Sequence, residues 1–323
     1  MRICFVASFS GNPDEGMKKV ALHLAGEMAK RHDVLKLDLA HLFSKGFWTA
    51  ARGFHPHIIH YVPGPSLASL IVAKALARYC QDAKVVISAL RPSLPSLSER
   101  IVPLLRPDLV LTQSYETENR FSGLGWQTVF LPNGVDTEKF TPVSSETKRR
   151  LREKYRLQEQ KFIILHVGPV KKNRNLRTLD RIRGADIQVL VIGSTSERME
   201  QDAQKGLEQA GYLVWGNYFD HIEEIYALAD CYVFPVTNRK SIESPLSVME
   251  AMACNLPVIS TKFGALTRIF EEGDGLIFAE KDEDFSSAIK EIKKGTEVKT
   301  RDKVLPYTWE NVAQRLEESY ALL

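Results

Sequence analysis

The amino-acid sequence predicts an α/β protein built from two doubly wound parallel sheets. Strand patterns alternate with helix patterns along most of the chain, which is typical of parallel sheets wrapped by helices. The length of 323 residues is long for one domain and suits two domains of about 150 residues each. A polar and strongly charged stretch, Ser144–Gln160, separates the two halves and is interpreted as a linker with a connecting helix.

The first half contains six apolar runs of strand length. A helix with a clear 3.6-residue apolar period follows the first run, and its stripe consists of Met17, Val20, Ala21, Leu24, Ala25 and Met28. The predicted strands are Arg2–Ser8, Val34–Leu37, Ile58–Tyr61, Lys84–Ser88, Leu109–Thr112 and Thr128–Leu131.

The second half repeats this pattern. Its predicted strands are Phe162–Val167, Gln188–Ile192, Val214–Trp215, Cys231–Phe234, Pro257–Ser260 and Leu276–Ile277. Both halves are therefore predicted to be Rossmann-like, and ligands on such sheets bind at the carboxyl ends of the strands. We expect the two domains to face each other across a cleft.

The composition is that of an ordinary globular protein, with 44% apolar and 26% charged residues. The net charge of +3 permits an anionic ligand or an anionic lipid surface as partner. No run of Lys and Arg with interleaved aromatic residues resembles a nucleic-acid module, so we expect no nucleic-acid partner. The four cysteines show no CxxC spacing and are interpreted as buried free thiols of a reducing cytosol.

No apolar window reaches the ~20 residues that a membrane-spanning helix needs. The nearest window, Leu67–Tyr79, is interrupted by Lys74 and Arg78. The N-terminal RICFVASFS is interpreted as a strand because turn residues follow it too soon for a signal peptide. We therefore expect a cytoplasmic protein whose membrane contact, if any, is peripheral at the inner face.

The segment Glu243–Thr261 is the most informative part of the chain. Ser244 is predicted to cap a helix that begins at Pro245 and runs to about Cys254, with Asn255 and Pro257 ending it. This helix has almost no polar face, since it contains Leu246, Val248, Met249, Ala251, Met252 and Ala253.

Glu250 lies in the middle of this apolar helix. A carboxylate there must find hydrogen-bond donors or be desolvated at a high cost, so either the protein or a ligand supplies donors. Vicinal sugar hydroxyls would suit it. The N–H groups of the first helical turn, including those of Leu246 and Ser247, would suit a phosphate.

Four further features follow one another along the chain: LPNGVDTEKF (Leu131–Phe140), FIILHVGPVKKNRNL (Phe162–Leu176), IEEIYALADCYVFP (Ile222–Pro235) with ESPLSVMEAMACNLPVIS after it, and YTWENVAQRLEESY (Tyr307–Tyr320). In this order they resemble a known family, the retaining glycosyltransferases of family four, which belong to the glycosyl transferases group 1 and have the two-Rossmann GT-B fold. The resemblance implies an N-terminal acceptor domain at 1–143, a linker at 144–160, and a nucleotide-sugar domain at 161–306. It also implies that the helix at 307–323 packs back on the first domain.

In that family the second glutamate of a Glu-x7-Glu motif binds the ribose hydroxyls, and Glu250 matches it. The first glutamate, near the transferred sugar, corresponds to Glu243, although six residues rather than seven separate the two. The alternatives are a structural Glu250 paired with a neighbouring Arg or Lys, and a Glu243 that is a solvated loop carboxylate.

The family also holds the donor diphosphate with an Arg and a Lys that follow the glycine ending the first strand of the second domain. Gly168 matches that glycine and Lys172 resembles the Lys, but Pro169 occupies the Arg position. Lys171 or Arg174 could replace the missing charge. An Arg, however, binds a phosphate through two hydrogen bonds in a bidentate geometry, and a Lys does not. The alternative is a solvated basic loop.

The family's first domain has a glycine-rich turn before the first helix, whose N–H groups approach the donor phosphate or the acceptor. Gly16 is well placed for this, but Glu15 stands where the second glycine would be. A histidine often ends the family's fourth strand, and this chain has none there. His60 is a possible substitute, and a structural histidine is the alternative.

The resemblance implies a hexosyltransferase that moves a sugar from a UDP- or GDP-sugar to an acceptor hydroxyl with retention, with Lys172 and Glu243 as catalytic residues. The acceptor would be a sugar or a lipid-linked sugar. We expect no metal, and no cofactor apart from the donor substrate, although Asp282-Glu283-Asp284 matches the Asp-x-Asp pattern.

Three alternatives remain. A non-catalytic partner subunit with the same fold would explain Pro169, the short glutamate spacing and the missing histidine. A sugar-nucleotide epimerase of the same fold would need acid and base residues that the sequence does not reveal. A nicotinamide-dependent oxidoreductase would need G-x-G-x-x-G after a strand, which neither half contains.

The segment Leu42–Phe54 places four aromatic residues among Lys45 and Arg52. Aromatic rings with basic neighbours suit the interface of an anionic bilayer, which favours a lipid-linked acceptor. The alternative is that these rings pack the outer layer of the first domain.

Overall fold

The structure, a computed structural model, describes residues 1–11, 16–81, 83–94, 102–182, 184–194, 199–237 and 243–323. It divides into two compact units. Unit 1 comprises Met1–Gly134, Lys240–Ser244 and Trp309–Leu323, and unit 2 comprises Val135–Arg239 and Pro245–Thr308.

Unit 1 is built on a six-stranded parallel sheet in the order β2-β1-β3-β4-β5-β6. The apolar runs form these strands because most of their side chains are buried between flanking helices. The strands are β1 (Arg2–Ala7), β2 (Asp33–Asp38), β3 (Ile58–Tyr61), β4 (Lys84–Ser88), β5 (Leu109–Thr112) and β6 (Thr128–Phe130).

Unit 2 contains a second six-stranded parallel sheet in the order β12-β11-β10-β7-β8-β9. Two apolar clusters pack on it. The strands are β7 (Phe162–Val167), β8 (Ile187–Ile192), β9 (Leu213–Trp215), β10 (Cys231–Phe234), β11 (Val258–Ser260) and β12 (Leu276–Phe278).

Twelve α-helices lie in the described part of the chain. They are α1 (Gly16–Ala29), α2 (Lys45–Phe54), α3 (Leu67–Tyr79), α4 (Tyr115–Gly123), α5 (Ser145–Lys154), α6 (Gln201–Gln209), α7 (Ile222–Ala227), α8 (Leu246–Ala253), α9 (Leu266–Ile269), α10 (Asp282–Lys293), α11 (Thr300–Val304) and α12 (Trp309–Tyr320).

The predicted α/β fold class is confirmed, and each predicted strand is present with bounds that differ by one residue at most. The four cysteines are buried and free, as expected.

The stretch predicted as a linker at 144–160 instead belongs to unit 2. Its helix α5 carries Arg152, which is buried and donates to Asp230 Oδ2 at 2.5 Å and to Leu228 O at 3.0 Å.

The C-terminal helix α12 belongs to unit 1 and packs on α1. Its first residue, Trp309, is buried and stacks on His23 with 4.6 Å between ring centroids. Glu317 pairs with Arg31 at 3.1 Å. Gly134 lies directly beneath Trp309, because a Cβ at that position would be 2.7 Å from the indole ring and 2.8 Å from the Trp309 Cα.

We predict that Gly134→Ala destabilises the protein by about 1–3 kcal/mol, because the added methyl group overlaps a backbone atom that cannot turn away. Gly53→Ala is the matched control. A Cβ at Gly53 meets nothing within 4 Å, and alanine favours a helix interior by about 0.5–1 kcal/mol. Urea unfolding should give a lower free energy of unfolding for Gly134→Ala than for the wild type, and a higher one for Gly53→Ala. A Gly134→Ala variant as stable as the wild type would contradict the close packing of Gly134 against Trp309.

Candidate functional site

The strand order of unit 2 reverses between β7 and β10, which are neighbours in the sheet. In open α/β sheets, ligands bind outside the carboxyl ends of the strands at this point. Val167 ends β7, and the loop from Gly168 to Arg174 follows it. α8 follows β10 and packs against β10 and β11.

Glu250 lies on α8 and is only 6% exposed. The hydroxyl of Tyr226, a fully buried residue on α7, donates to Glu250 Oε2 at 2.7 Å. The protein therefore supplies at least one of the donors that the sequence predicted for this carboxylate. The donor is a tyrosine, which the sequence analysis did not single out. The segment Ile222–Pro235, which contains this tyrosine, was used only as one of the four segments that resemble the family.

The start of α8 differs from the prediction. The helix begins at Leu246, and Pro245 is its N-cap residue, in an extended conformation without a side-chain cap. Ser244 was predicted to cap the helix, and this was wrong. The Asn133 N–H approaches the Ser244 hydroxyl oxygen at 3.4 Å, and Asn133 Nδ2 donates to Ser244 O at 2.7 Å. Asn255 ends the helix with φ of +54°, as predicted.

The first turn of α8 contains the predicted phosphate-binding residues Leu246 and Ser247. Leu246 is buried. Ser247 forms a hydrogen bond with the hydroxyl of Tyr232 on β10, and that hydroxyl also donates to Val167 O at 3.3 Å. The start of α8 is thereby tied to the carboxyl end of β7.

The loop after β7 carries the predicted basic residues. Gly168 continues the sheet through an N–H···O bond to Ile192 O at 2.9 Å. Lys171 and Arg174 are half-buried, and the Arg174 N–H donates to Lys171 O at 3.0 Å. The charge of Arg174 acts on both His166 and Tyr232, and it lowers the pKa of each.

Lys172 is the most exposed of the predicted cations. Its side chain is 72% exposed, and its Nζ lies 3.5 Å from Asp202 Oδ2 at an equally exposed site, where an ion pair contributes little. The Lys172 N–H donates to Glu200 Oε2 at 3.0 Å. Lys172, Glu200 and Asp202 line an open groove of ≈ 540 Å³.

His166 near the end of β7 is a residue that the sequence analysis missed. Its ring is buried, and Nδ1 donates to Val233 O at 2.9 Å, which leaves Nε2 as an acceptor. Among the described residues, Nε2 has no hydrogen-bond partner, and it lies 3.3 Å from the position of a Cβ on Gly168. Burial lowers the pKa of His166 to about 4, and the charge of Arg174 acts in the same direction. The imidazole is therefore neutral.

Glu243 belongs to unit 1. The hydroxyl of Thr117, in the first turn of α4, donates to Glu243 Oε1 at 2.5 Å. The Glu243 N–H approaches Leu90 O at 3.4 Å. Glu243 is half-buried, which disagrees with the alternative of a solvated loop carboxylate.

The turn after β1 was predicted to offer N–H groups to a ligand. Gly16 begins α1, while Glu15, the residue at the second glycine position, lies outside the described residues. The N–H groups of Phe9 and Ser10 donate to Asp38 Oδ2 at 3.2 and 2.7 Å, so the side chain at the end of β2 already engages them.

His60 on β3 is a structural histidine. Its ring is fully buried, with Nδ1 2.6 Å from the Tyr320 hydroxyl and Nε2 2.7 Å from Ser88 Oγ. Burial lowers the pKa of His60 to about 3, so the ring is neutral. Because both nitrogens bind side chains of unit 1, the structure favours the structural interpretation over a role beside a reacting sugar.

The aromatic segment 42–54 packs mostly into unit 1. Phe47 is buried, Trp48 donates from its indole N–H to Leu42 O at 2.8 Å, and Phe54 packs against the core. Phe43, by contrast, is 99% exposed. A peripheral membrane contact stays a prediction that rests on Phe43 and the exposed Lys45.

In the part of the chain that the structure describes, no helix has the length and apolar character that crossing a membrane requires. The described residues also contain no group of three or more His, Cys, Asp or Glu side chains placed to hold a metal ion.

A family model matches a large part of the second half of the chain. Residues 161–294 match the family model described as "Glycosyl transferases group 1". This match confirms, over those residues, the resemblance that the motifs gave. The finer assignment to family four stays a prediction.

Two curated relatives align with longer parts of the chain. The GDP-mannose-dependent monoacylated alpha-(1-6)-phosphatidylinositol monomannoside mannosyltransferase of Corynebacterium glutamicum is 29% identical over 55% of this chain and 50% of its own length. The lipopolysaccharide 1,2-N-acetylglucosaminetransferase of Salmonella typhimurium is 23% identical over 73% of this chain and 66% of its own length. The chain thus spans half to about two thirds of these relatives.

Solved structures share the fold over the whole chain. Anabaena Alr3699/HepE in complex with UDP-glucose superimposes with a TM-score of 0.79 at 16% identity, covering 100% of both chains. Sucrose-phosphate synthase from Thermosynechococcus elongatus gives a TM-score of 0.76 at 16% identity, over 99% of this chain and 98% of that one. At this identity the similarity establishes a GT-B type fold and no activity.

We predict that stability falls as the pH drops from 6.5, because His60 and His166 have lower pKa values in the folded protein than the usual 6.5. The unfolded chain then binds protons that the folded chain does not, which favours unfolding. The stabilisation is therefore complete above pH 6.5 and is lost towards pH 4. Between pH 6 and pH 5, which lies above the range in which most carboxylates titrate, each histidine should lower the free energy of unfolding by about 1 kcal/mol.

Urea unfolding at pH 6 and pH 5 measures this loss. In His166→Gln, the free energy of unfolding should change between pH 6 and pH 5 by about half as much as it does in the wild type. This holds whatever the substitution does to the stability at either pH. His41, which is exposed, provides the control, and His41→Gln should keep the wild-type difference. An unchanged difference in His166→Gln would show that His166 is not a buried neutral ring.

Proposed function

Because residues 161–294 match the glycosyl transferases group 1, we propose that this protein is a glycosyltransferase that moves a sugar from a UDP- or GDP-sugar to an acceptor hydroxyl. The observation that carries the proposal is the buried carboxylate of Glu250 on α8, next to the strand-order reversal between β7 and β10. In this role Glu250 accepts hydrogen bonds from the two ribose hydroxyls of the donor nucleotide.

In the proposed function, the donor diphosphate lies against the loop after β7 and the start of α8. Gly168 lets the backbone approach closely, and the N–H groups of the first turn of α8, including those of Leu246 and Ser247, point to an anion. Lys172 is the catalytic cation that meets the leaving diphosphate, while Lys171 and Arg174 add charge. The electrostatic effect of Arg174 on His166 and Tyr232 supports its role as substitute for the arginine that Pro169 replaces.

The proposed reaction proceeds with retention. The bond between the anomeric carbon and the β-phosphate oxygen breaks, and the acceptor oxygen bonds to that carbon on the same face. The acceptor proton passes to the leaving phosphate. Stabilising the charge that builds on this phosphate is the main task of the protein, so side chains and a helix terminus suffice without a metal ion. Glu243 would lie near the transferred sugar, and the turn at Gly16 near the acceptor.

The acceptor is proposed to be a sugar or a lipid-linked sugar. The names of both curated relatives support this class, since one acts on a phosphatidylinositol mannoside and the other on lipopolysaccharide. An exposed Phe43 with Lys45 beside it would bring the protein to an anionic membrane surface that carries such an acceptor.

We predict that UDP or GDP raises the stability of the protein, and that Glu250→Ala abolishes this effect while the fold stays intact. A ligand at 100 times its dissociation constant adds about 2.7 kcal/mol. A thermal-shift panel of nucleoside diphosphates measures it, with circular dichroism as the check on folding. Glu250→Gln keeps the side-chain volume and serves if the alanine variant unfolds.

The exposed Glu271 provides the matched control, since Glu271→Ala removes a carboxylate elsewhere on unit 2. It should respond to UDP or GDP as the wild type does. Equal shifts in the wild type and both Glu250 variants would refute the assignment of Glu250 to the ribose.

We further predict that sugar transfer survives a strong chelator, because the charge opposite the diphosphate comes from the protein. Lys172→Ala should lower turnover at least about tenfold, in line with the loss of one charge-assisted hydrogen bond, and Lys171→Ala should lower it less. Turnover is measured with UDP- and GDP-sugars with and without EDTA. Loss of transfer in EDTA that magnesium or manganese restores would overturn the charge model, and the reverse ranking of the two variants would assign the contact to Lys171.

A further inference from the structure

We propose that Tyr226 is a positioning residue, whose hydroxyl orients the Glu250 carboxylate and thereby sets the affinity for the ribose of the nucleotide. The proposal rests on the proposed function of Glu250 and deepens it. It starts from the contact between the Tyr226 hydroxyl and Glu250 Oε2, which are 2.7 Å apart.

The two partners differ in exposure. Tyr226 is completely buried, so its hydroxyl cannot reach a ligand. Glu250 is 6% exposed, so part of this residue still reaches the surface. Any effect of Tyr226 on a ligand must therefore pass through a neighbour, and Glu250 is the residue that its hydroxyl binds.

The carboxylate needs such a partner because the side-chain rotamer alone does not fix its orientation. The last torsion of a glutamate side chain has broad minima, so the rotamer does not fix the plane of the two oxygens. A short hydrogen bond to a charged acceptor is about twice as strong as a neutral one and restricts that plane. A bidentate contact with two vicinal hydroxyls depends on the plane being correct.

Tyr226 itself is held firmly. Its ring meets Phe140 edge to face with centroids 5.4 Å apart, and it lies 5.9 Å from the ring of Tyr232. Burial, and then the charge of Glu250, raises the pKa of Tyr226 well above its usual value. The phenol therefore stays protonated and donates at every pH at which the protein is folded.

Tyr232 provides a matched control. It is a fully buried tyrosine in the same cluster, but its hydroxyl donates to the Val167 carbonyl rather than to Glu250. Tyr226→Phe and Tyr232→Phe thus delete the same atom from neighbouring rings. Only the first deletion removes a hydrogen bond from the carboxylate.

The test compares two ligands by isothermal titration calorimetry, UDP and 2′,3′-dideoxy-UDP, and repeats the comparison with the GDP pair. The second ligand of each pair lacks the hydroxyls that Glu250 would accept. The wild type should bind the ribonucleotide about tenfold tighter or more. Tyr226→Phe should lose about five- to tenfold in affinity for the ribonucleotide and stay within about twofold for the dideoxy ligand. Tyr232→Phe should change both affinities by the same factor.

Equal losses for both ligands in Tyr226→Phe would overturn the positioning role and leave the ribose contact of Glu250 intact. A wild type that does not distinguish the two ligands would instead overturn the ribose contact, and the positioning role with it. In a Glu250→Ala background, which has no acceptor for the phenol, the further change Tyr226→Phe should have no selective effect. If Tyr226→Phe folds poorly, Tyr226→Met also lacks the hydroxyl and its flexible side chain fills the gap.

Discussion

The requirement to satisfy one carboxylate inside an apolar helix organises the site in unit 2. A charged group without partners in such a position costs several kcal/mol, so Glu250 can persist only where donors are built around it. The structure meets this need by bringing α7 against α8, so that a phenol from one helix reaches the acid of the other. The same tyrosine cluster extends to β10, and a second phenol ties this strand to the end of β7.

Parallel sheets concentrate chemistry at one edge, because the carboxyl ends of their strands lie together. In unit 1 this edge carries the pair His60–Ser88 and the carboxylate of Asp38, all bound by their own unit. In unit 2 it carries His166 and Arg174, beside the start of α8. Unit 2 has a buried acceptor, His166 Nε2, that has no hydrogen-bond partner among the described residues, and a group of cations after β7.

The sequence was sufficient for the twelve strands, because apolar runs between turn residues depend on local patterning. It also identified the position of Glu250, since one acid among apolar residues stands out. It missed Tyr226 and His166, because a tyrosine or histidine within an apolar run looks like core and only tertiary contacts show where its polar atom goes. The prediction that Ser244 caps α8 was wrong for the same reason. The Ser244 hydroxyl oxygen, which local patterning had assigned to the helix, instead contacts the Asn133 N–H from far along the chain.

The packing of α12 on α1 has a consequence for how the protein is made. Unit 1 contains Met1–Gly134 and also α12, while all of unit 2 lies between these two parts in sequence. During translation unit 2 can close its sheet before α12 has left the ribosome, whereas the part of α1 that packs on α12 must wait for it. Domains fold as units as the chain emerges, usually from the N-terminus. Here the unit whose synthesis begins first is completed last, because its final helix is made only after the whole of unit 2.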